Sequence, residues 1–253
     1  MIDFHNHIIP NLDDGSKSIE MSLNMLREAE SQGITDIINT VHYQHPKMEG
    51  KNTCFDFVVS EITKMQDIAN KNNINIKIHP ASEVFFQFNL TEILDNPITT
   101  LGNGKYMLIE FQRLSFPKNY EDELFKLQLK GVTPIIAHPE RYRAVQNDID
   151  VAKKWIDRGY VIQIDCASII GGFGKETQNT AIQLLKNNLC HLIGSDAHND
   201  KKRNFCLKQA LVESERIIGS ESVSIISKNS EYVLNGNDIL ACSSKNKNKS
   251  ILN

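Results

Sequence analysis

The stretch Asp3-Phe4-His5-Asn6-His7, followed by the loop Asp13-Asp14-Gly15, brings two imidazoles and several carboxylates close together in the chain. If residues 2–7 form a β-strand, His5 and His7 lie on one face, because alternate side chains of a strand point the same way. Two imidazoles on one face can reach one metal ion at about 2.0–2.1 Å. The turn-rich loop can return a carboxylate to the same place. The stretch therefore predicts part of a metal site, and later segments must supply the remaining ligands.

The composition is typical of a globular protein with a full core. The chain has 253 residues, of which 40% are hydrophobic and 23% charged, which suits one α/β barrel or two small domains. A net charge of −3 argues against non-specific nucleic-acid binding. No secretory signal and no apolar run of the ~20 residues that span a membrane is visible. The five cysteines contain no Cys-x-x-Cys pair, so we expect a cytoplasmic protein without membrane insertion.

Predicted strands and amphipathic helices alternate along the chain. The predicted strands are 2–7, 34–41, 74–78, 106–109, 132–137, 160–164 and 190–194, and the predicted helices are 19–32, 54–71, 89–94, 120–130, 150–158, 176–187 and 205–218. This alternation predicts a parallel sheet, and its even spacing without a Gly-x-Gly-x-x-Gly motif favours a closed barrel. We expect one domain over residues 1–240, a distorted TIM-like (β/α)7 barrel. It would end in a short strand and a turn over 222–240, followed by a disordered polar tail over 241–253.

Residues of the types that bind metals stand where the predicted strands end. They are His5 and His7, His42, Glu83, Glu110, His138, Asp165, and Asp196 with His198. Because barrel enzymes build their sites at this end of the strands, we expect the side chains to meet. Mixed His and carboxylate ligands favour Mn, Fe or Zn, and so many ligands indicate two or three divalent ions. We expect His79 and His191 to be structural or exposed, and the role of His45 stays open.

Two arginines follow two of these strands. Arg141 comes just after His138, and Arg203 comes shortly after His198. The planar guanidinium group matches the geometry of phosphate oxygens. Metal clusters of this kind activate water and neutralise phosphate oxygens during hydrolysis. The pattern therefore predicts a phosphate ester hydrolase.

A cysteine phosphatase mechanism is excluded by the sequence. That mechanism needs an arginine six residues after the catalytic cysteine. The corresponding positions hold Ser60, Gly172, Asp196, Val212 and Asn248. No phosphocysteine intermediate is therefore expected.

The motifs resemble those of a known superfamily. They are Met1-Ile2-Asp3-Phe4-His5-Asn6-His7, Asp13-Asp14-Gly15, Ile109-Glu110-Phe111, Ala137-His138-Pro139-Glu140-Arg141 and Gly194-Ser195-Asp196-Ala197-His198-Asn199. They are similar to the polymerase-and-histidinol-phosphatase (PHP) superfamily, and within it to the protein tyrosine phosphatases of bacterial capsule and exopolysaccharide loci. The similarity covers about residues 1–235 in the same order. The Asp-Asp-Gly and His-Pro-Glu-Arg segments favour the tyrosine phosphatase branch over the histidinol-phosphatase branch.

The resemblance implies three metal sites with no ligand missing. His5, His7 and Asp196 would hold the first ion, and Glu83 would bridge it to the second. Glu110 and His138 would complete the second site. Asp14, His42 and His198 would hold the third, with Asp13 as the alternative to Asp14. Arg141 and Arg203 would bind the substrate phosphate, and Asp165 has no firm counterpart.

The resemblance also implies an activity and a partner. The chain would hydrolyse phosphotyrosine in proteins by attack of a metal-bound hydroxide, with Mn favoured and Fe or Zn as alternatives. Its substrate would be a bacterial tyrosine autokinase of a polysaccharide locus, and its role regulation of capsule or exopolysaccharide biosynthesis. No oligomeric state is predicted. The alternatives are a small-molecule phosphatase such as a histidinol phosphatase, a non-catalytic binding module that kept the fold, and a metal-dependent amidohydrolase, which the two arginines disfavour.

Overall fold

Seven parallel strands form one sheet in the computed structural model, which describes residues 1–48 and 54–241. The strands are β1 (Ile2–Asn6), β2 (Asp36–Tyr43), β3 (Lys77–Phe85), β4 (Tyr106–Glu110), β5 (Thr133–Ala137), β6 (Val161–Asp165) and β7 (Leu192–Gly194). Each strand pairs in parallel with the next one in the chain. The predicted parallel architecture is therefore confirmed.

The residues that follow β7 close the sheet onto β1. Asn6 forms a parallel bridge with Ala197. The His7 N–H donates to the Ala197 carbonyl at 2.8 Å, and the Asp196 N–H donates to the His5 carbonyl at 2.7 Å. The strands thus form a nearly closed barrel in a single domain, which is the distorted TIM-like fold that the sequence predicts.

Helices surround the barrel. Those in the described part of the chain are α1 (Ile19–Ser31), α2 (Phe55–Lys71), α3 (Tyr120–Leu129), α4 (Arg143–Asn147), α5 (Asp150–Asp157), α6 (Cys166–Ile169), α7 (Lys175–Lys186), α8 (Leu207–Ile218) and α9 (Ser220–Leu234). In α1 the side chain of Ser18 caps the first turn by accepting a hydrogen bond from the Met21 N–H, as expected for an N-cap serine. Its buried side includes Met25, Leu26 and Ala29, which recur at helical spacing and face the sheet.

Alternate strand residues divide the core into two layers. On β5, Ile135 and Ala137 belong to a small apolar cluster that also contains Phe4 and Leu108. Ile136, between them, belongs to the larger cluster shared with the surrounding helices. Because strand side chains alternate between faces, the small cluster fills the barrel and the large one joins barrel to helices. The predicted ligands stand above the small cluster, at the ends of the same strands.

The third strand differs from its prediction. It covers Lys77–Phe85 rather than 74–78, so Glu83 lies within it and not after it. The observed strand contains Pro80, although proline lacks the N–H that a sheet ladder requires. Pairing of β3 with β4 begins only at Glu83, so Pro80 lies where β3 is paired with β2 alone. The missing donor therefore disrupts no ladder on that side.

The C-terminal prediction was also wrong, because residues 220–234 form helix α9 and not a strand. The buried residues Ile226, Asn229, Ser230 and Val233 recur at helical spacing. Packing of this face against β1 and β7 outweighs the weak intrinsic preference for a strand.

Smaller differences concern the ends of elements. The predicted helix over 89–94 is a run of turns, followed by a 3-10 helix at Pro97–Thr99. The predicted strand over 190–194 is shortened to β7. The predicted polar tail lies outside the described residues after position 241.

Among residues 1–48 and 54–241, no helix combines the length and apolar character required to traverse a lipid bilayer.

Candidate metal centre

The buried carboxylate of Glu83 lies among four imidazoles at the C-terminal end of the barrel. Its Oε2 atom is 3.2 Å from a nitrogen of His5, 3.4 Å from His7 and 3.2 Å from His42. Its Oε1 atom is 2.8 Å from Nε2 of His138. Burial opposes the ionisation of Glu83, but the charges of the imidazoles outweigh it and hold the pKa of Glu83 well below its usual range. Glu83, on β3, therefore joins residues from the ends of three other strands, β1, β2 and β5.

Every predicted ligand lies in this one region. Atoms that could bind metal lie within 4.8 Å of one another in four groups: His5, His7, Glu83 and Asp196; Glu83, Glu110 and His138; His7, Asp14, His42 and His198; and His42, His45 and Glu110. The first three groups match the three predicted sites, with His7 added to the third. We call the residues of these three groups the ligand cluster. The fourth group adds His45, whose role the sequence left open.

Hydrogen bonds fix the orientation of three imidazoles in the cluster. Nδ1 of His7 is 2.7 Å from Oδ2 of Asp13, and Nδ1 of His198 is 2.9 Å from the Asp196 carbonyl. Since both oxygens only accept, each Nδ1 carries a proton, and Nε2 is the nitrogen that can bind a metal when the ring is neutral. Nδ1 of His5 lies 3.0 Å from Oε1 of Gln163 in the same manner. Nε2 atoms of His5 and His7 face each other at 3.3 Å, which suits a shared cation.

The two aspartates of the first loop have different positions. Asp14 lies 3.2 Å from both His42 and His198, and 43% of its side chain is exposed. Asp13 is buried and accepts hydrogen bonds from the N–H groups of His42 and Gly15, besides the one from His7. Asp14 therefore faces the cluster, whereas Asp13 holds a ligand from behind.

Local backbone features bring His5 and His7 to the same point. Strand β1 carries one extra residue relative to β2 between Asp3 and Asn6, a bulge of the kind that redirects side chains. Two glycines leave room for the imidazoles. A Cβ atom on Gly194 would lie 2.6 Å from Cβ of His5, and one on Gly15 would lie 2.4 Å from Cβ of His7. The sequence predicted the convergence, but from a regular strand that the bulge replaces.

Two members of the cluster have a strained backbone. His138 has φ of 34° and Asp196 has φ of 49°, both in the left-handed region that non-glycine residues rarely adopt. Such residues cost about 1–3 kcal/mol each and concentrate at functional sites, where the surrounding structure holds them. His138 directly follows β5 and Asp196 is the second residue after β7, where the chain turns sharply while keeping the side chain in the pocket.

The residues fit the divalent ions that the sequence predicts. Imidazole and carboxylate are the usual ligands of Mn, Fe and Zn. Within the described residues, Oε2 of Glu110 and Nδ1 of His42 are buried without a hydrogen-bond partner. Buried polar atoms are normally paired, so atoms of this kind need an explanation. Metal coordination supplies one.

Arg141 and Arg203 converge on Asp196, a carboxylate of the ligand cluster. Nη1 of Arg141 lies 2.7 Å from Oδ2 of Asp196 and 2.8 Å from Oδ2 of Asp165. Nη2 of Arg203 donates to the same Oδ2 of Asp196. The Arg141 side chain is 7% exposed and that of Arg203 is 28% exposed. Two guanidinium groups therefore stand at the mouth of the predicted metal site.

Several supporting residues had no role in the sequence prediction. Gln163 donates through Nε2 to Oδ1 of Asp165, which sets its amide so that Oε1 meets His5. Asp3 accepts from the Ser195 N–H and hydroxyl, and so holds β1 against the end of β7. The only available signal for Gln163 was its position two residues before Asp165, on the same face of a strand that ends at the site. The remaining histidines lie elsewhere: His79 pairs with Asp36, and His191 accepts from the Ile162 N–H.

Comparison with known proteins gives the family. The family model for capsular polysaccharide synthesis, CpsB/CapC, matches residues 1–235. The chain belongs to the CpsB/CapC family. Every residue of the ligand cluster and both arginines lie within the span that the CpsB/CapC model matches.

Relatives in the CpsB/CapC family carry names that state an activity. The tyrosine-protein phosphatase YwqE of Bacillus subtilis is 33% identical over 240 residues, which are 94% of this chain and 93% of YwqE. The tyrosine-protein phosphatase CpsB of Streptococcus agalactiae is 31% identical over 227 residues, 87% of this chain and 92% of CpsB. A crystal structure from work on YwqE and on CpsB from Streptococcus pneumoniae, described as unique metal-dependent tyrosine phosphatases, matches with a TM-score of 0.89. That match has 33% identity and covers 95% of this chain and 96% of the other.

Proposed function

We propose that this chain is a metal-dependent protein tyrosine phosphatase that hydrolyses phosphotyrosine without a phosphocysteine intermediate. The observation that carries the proposal is the convergence of the ligand cluster and two arginines on Asp196. Asp196 Oδ1 lies 3.5 Å from His5 and 3.4 Å from His7, while its Oδ2 meets both arginines. Metal ligands and phosphate-binding groups thus share one carboxylate.

The ligand cluster would hold two or three divalent ions. His5, His7 and Asp196 would bind the first, and Glu83 would join it to a second with Glu110 and His138. Asp14, rather than Asp13, would bind the third with His42 and His198. Bound ions of this type act as Lewis acids toward phosphate and activate water as the nucleophile. We propose Mn, with Fe and Zn as alternatives that the same ligands accept.

The arginines would bind the substrate phosphate. Each guanidinium group has further N–H donors besides those that Asp196 and Asp165 accept. Oriented donors of this kind stabilise the negative charge that spreads over the equatorial oxygens during phosphoryl transfer. Arg141 is held by two carboxylates and is nearly buried, so it would orient the phosphate. Arg203 is more exposed and would complete the site from the solvent side.

The leaving group fits the residues present. A tyrosine phenol has a pKa of about 10, so it needs less help from a general acid than an alkyl alcohol does. We propose that the physiological substrate is a tyrosine autokinase of a polysaccharide locus, in agreement with the name of the family. We propose a cytoplasmic site of action, with which the free thiol of Cys166 is compatible.

The test compares two substrates and two variants. Protein purified without added metal is analysed for bound ions, loaded with Mn²⁺, and assayed with a phosphotyrosyl peptide and with histidinol phosphate. We expect bound divalent metal and preference for the peptide. His5→Ala should lose metal and rate together. Arg203→Ala should keep its metal and lose about 10²-fold in rate, as other enzymes do when an oriented charge-stabilising donor is removed.

The controls separate the alternatives. Arg143→Ala removes an exposed arginine that pairs with Glu176 away from the cluster, and it should behave like the unmodified protein. Cleavage of histidinol phosphate alone would favour the small-molecule phosphatase and reject the tyrosine assignment. Inactivity toward every aryl phosphate after Mn²⁺ loading would favour the non-catalytic binding module.

A further inference from the structure

A cavity of about 500 Å³ opens directly beside the ligand cluster. Its lining includes His45, Lys47, Phe85, Glu110, Arg113 and Leu114. Glu110 belongs both to this lining and to the ligand cluster, so the cavity and the predicted metal site share a wall. The proposed mechanism uses none of the other lining residues.

One side of the cavity is apolar and aromatic. The rings of Phe85 and His45 meet edge to face with centroids 5.1 Å apart. Leu114, which also lines the cavity, is 76% exposed. An aromatic wall beside a phosphate site can receive the ring of a phosphorylated tyrosine.

Arg113 stands in this cavity on a segment that is fixed at both ends. The Phe111 N–H donates to the Tyr142 hydroxyl at 2.9 Å, and the Arg143 N–H donates to the Arg113 carbonyl at 2.9 Å. These bonds attach the segment to the loop that carries Arg141. Burial and the positive charges of Arg141 and Arg203 lower the pKa of Arg113, so the three guanidinium groups act in one electrostatic field.

Within the part of the chain that the structure describes, no carboxylate pairs directly with the basic side chains of this cavity. Across the described ranges 1–48 and 54–241, the guanidinium of Arg113 makes no hydrogen bond or ion pair, and Lys47 forms no ion pair either. Glu110 is the one acidic residue of the lining, and it faces the ligand cluster. By contrast, Arg141 and Arg203 each meet carboxylates. An unpaired guanidinium beside a phosphate site is complementary to a second anion.

We propose that this cavity is a second anion subsite, in which Arg113 binds an acidic or phosphorylated side chain close to the phosphotyrosine in the substrate polypeptide. The inference rests on the proposed tyrosine phosphatase function. It makes Arg113 a specificity-determining residue: the tyrosine ring lies along Phe85 and Leu114, and the neighbouring anion reaches the guanidinium.

The test uses the full chain loaded with Mn²⁺ and three substrate classes. They are p-nitrophenyl phosphate, a phosphotyrosyl peptide with neutral flanking residues, and the same peptide with either acidic or further phosphotyrosine flanking residues. We expect kcat/KM for the anionic peptides to exceed that for the neutral peptide about three- to five-fold, the range of a partly exposed ion pair. Arg113→Ala should remove this preference and leave p-nitrophenyl phosphate hydrolysis within two-fold. Comparison of the two anionic peptides tells whether a carboxylate or a second phosphate is preferred.

Matched variants and a binding measurement complete the test. Arg113→Lys should restore part of the preference, Arg143→Ala should retain all of it, and 0.5 M salt should reduce it. The Kd of a non-hydrolysable phosphonate form of the acidic peptide should rise in Arg113→Ala by the same factor, independently of turnover.

An equal loss of kcat/KM in Arg113→Ala on all three substrate classes would place Arg113 in general phosphate binding and overturn the subsite. If the unmodified protein cleaves the neutral and the anionic peptides equally well, the subsite alone is overturned. Failure to cleave any phosphotyrosyl peptide would overturn the proposed function as well.

Discussion

Two buried polar regions lie one behind the other at the C-terminal end of the barrel, and their hydrogen-bonding groups are arranged differently. In the ligand cluster, acceptor atoms face one another: imidazole nitrogens meet at 3.3 Å and surround the carboxylate of Glu83. Behind it lies a support layer, by which we mean Asp3, Asp13, Gln163 and Asp165. There the carboxylates accept from N–H and O–H donors, as Asp3 does from Ser195 and Asp13 from Gly15.

The difference indicates which region needs a cation. Buried polar groups with matched donors and acceptors satisfy one another, so the support layer is complete as protein alone. A set of converging acceptors is satisfied by a positive ion that all of them can share. Three of the ligand imidazoles, those of His5, His7 and His198, have Nδ1 on the support layer or on a backbone carbonyl and Nε2 in the cluster. The support layer therefore aims the lone pairs that the cluster uses.

The largest expected effect comes from removing the centre of the cluster. Glu83→Gln keeps the size of the side chain but removes the charge that four imidazoles share, so we expect loss of metal and more than about 100-fold loss of rate with an aryl phosphate. That exceeds the 10- to 100-fold loss typical of residues behind a metal ligand. Metal analysis and steady-state kinetics on the same sample measure both. Full metal content in this variant would contradict the assignment of Glu83 as a bridging ligand.

The next effect compares the two neighbouring aspartates. Asp13→Asn places an amide N–H₂ among donors, so we expect a stability loss of about 1–3 kcal/mol and a 10- to 100-fold weaker metal affinity. Asp14→Asn should lose one ion of the set with little change in stability, because Asp14 is 43% exposed. Metal titration and denaturant unfolding of both variants check this. If Asp13→Asn loses the ion and Asp14→Asn keeps it, the two assignments are reversed.

The ligand cluster could be predicted from the sequence because its members follow strands. Parallel strands end at one rim, so His42, Glu110 and His138 are placed together by topology alone. The same reasoning found Arg141 and Arg203 by their short distance from strand ends. Even the wrong limits of β3 did no harm, because Glu83 stays at the same end of the strand.

The support layer could not be predicted in the same way. Gln163 acts only through the direction of its amide, which Asp165 sets across two residues of β6. The bulge in β1 and the close approach of His5 to Gly194 are tertiary facts with no local pattern. Helix α9 was missed for a similar reason, since only packing against β1 and β7 reveals which of its residues are buried.

The next prediction concerns how the stability of the protein depends on pH, through a buried acid beside the support layer. Glu140, next to Asp165, accepts from the Ser168 hydroxyl at 2.6 Å, while burial and the charge of Asp165 raise the pKa of Glu140 to about 7. Between its ordinary value of 4.5 and about 7, the unfolded chain loses this proton and the folded chain keeps it. The stability that Glu140 contributes should therefore fall by about 2–3 kcal/mol as pH rises through this window.

Denaturant unfolding at pH 5 and pH 7.5 measures this effect. The protein is treated with a chelator, so that loss of metal at low pH makes no contribution. Glu140→Gln mimics the neutral acid and should reduce the difference between the two pH values. An identical pH dependence in this variant would show that Glu140 ionises normally. The drop would then come from another group with a raised pKa, such as Asp3, whose pKa burial raises to about 6, or His5, for which burial is outweighed by the charges of Glu83 and Asp196, which raise its pKa to about 9.

The smallest effect concerns the link between the two regions. Arg141 joins them, because it bonds Asp196 in the cluster and Asp165 in the support layer. The ring of Phe173 packs against both arginines. Its centroid is 4.8 Å from the guanidinium carbon of Arg141 and 5.4 Å from that of Arg203. A cation over an aromatic face gains about 0.5–1 kcal/mol at a partly exposed site.

Phe173→Leu should therefore keep the metal and raise KM for an aryl phosphate two- to five-fold, with a parallel rise in the inhibition constant of inorganic phosphate. Phe173→Tyr keeps the aromatic face and should match the unmodified protein. A change in kcat or in metal content would mean that the ring supports the cluster itself. If KM instead stays constant in Phe173→Leu, the carboxylates of Asp165 and Asp196 hold the arginines without help from the ring, and the two regions are joined by ion pairs alone.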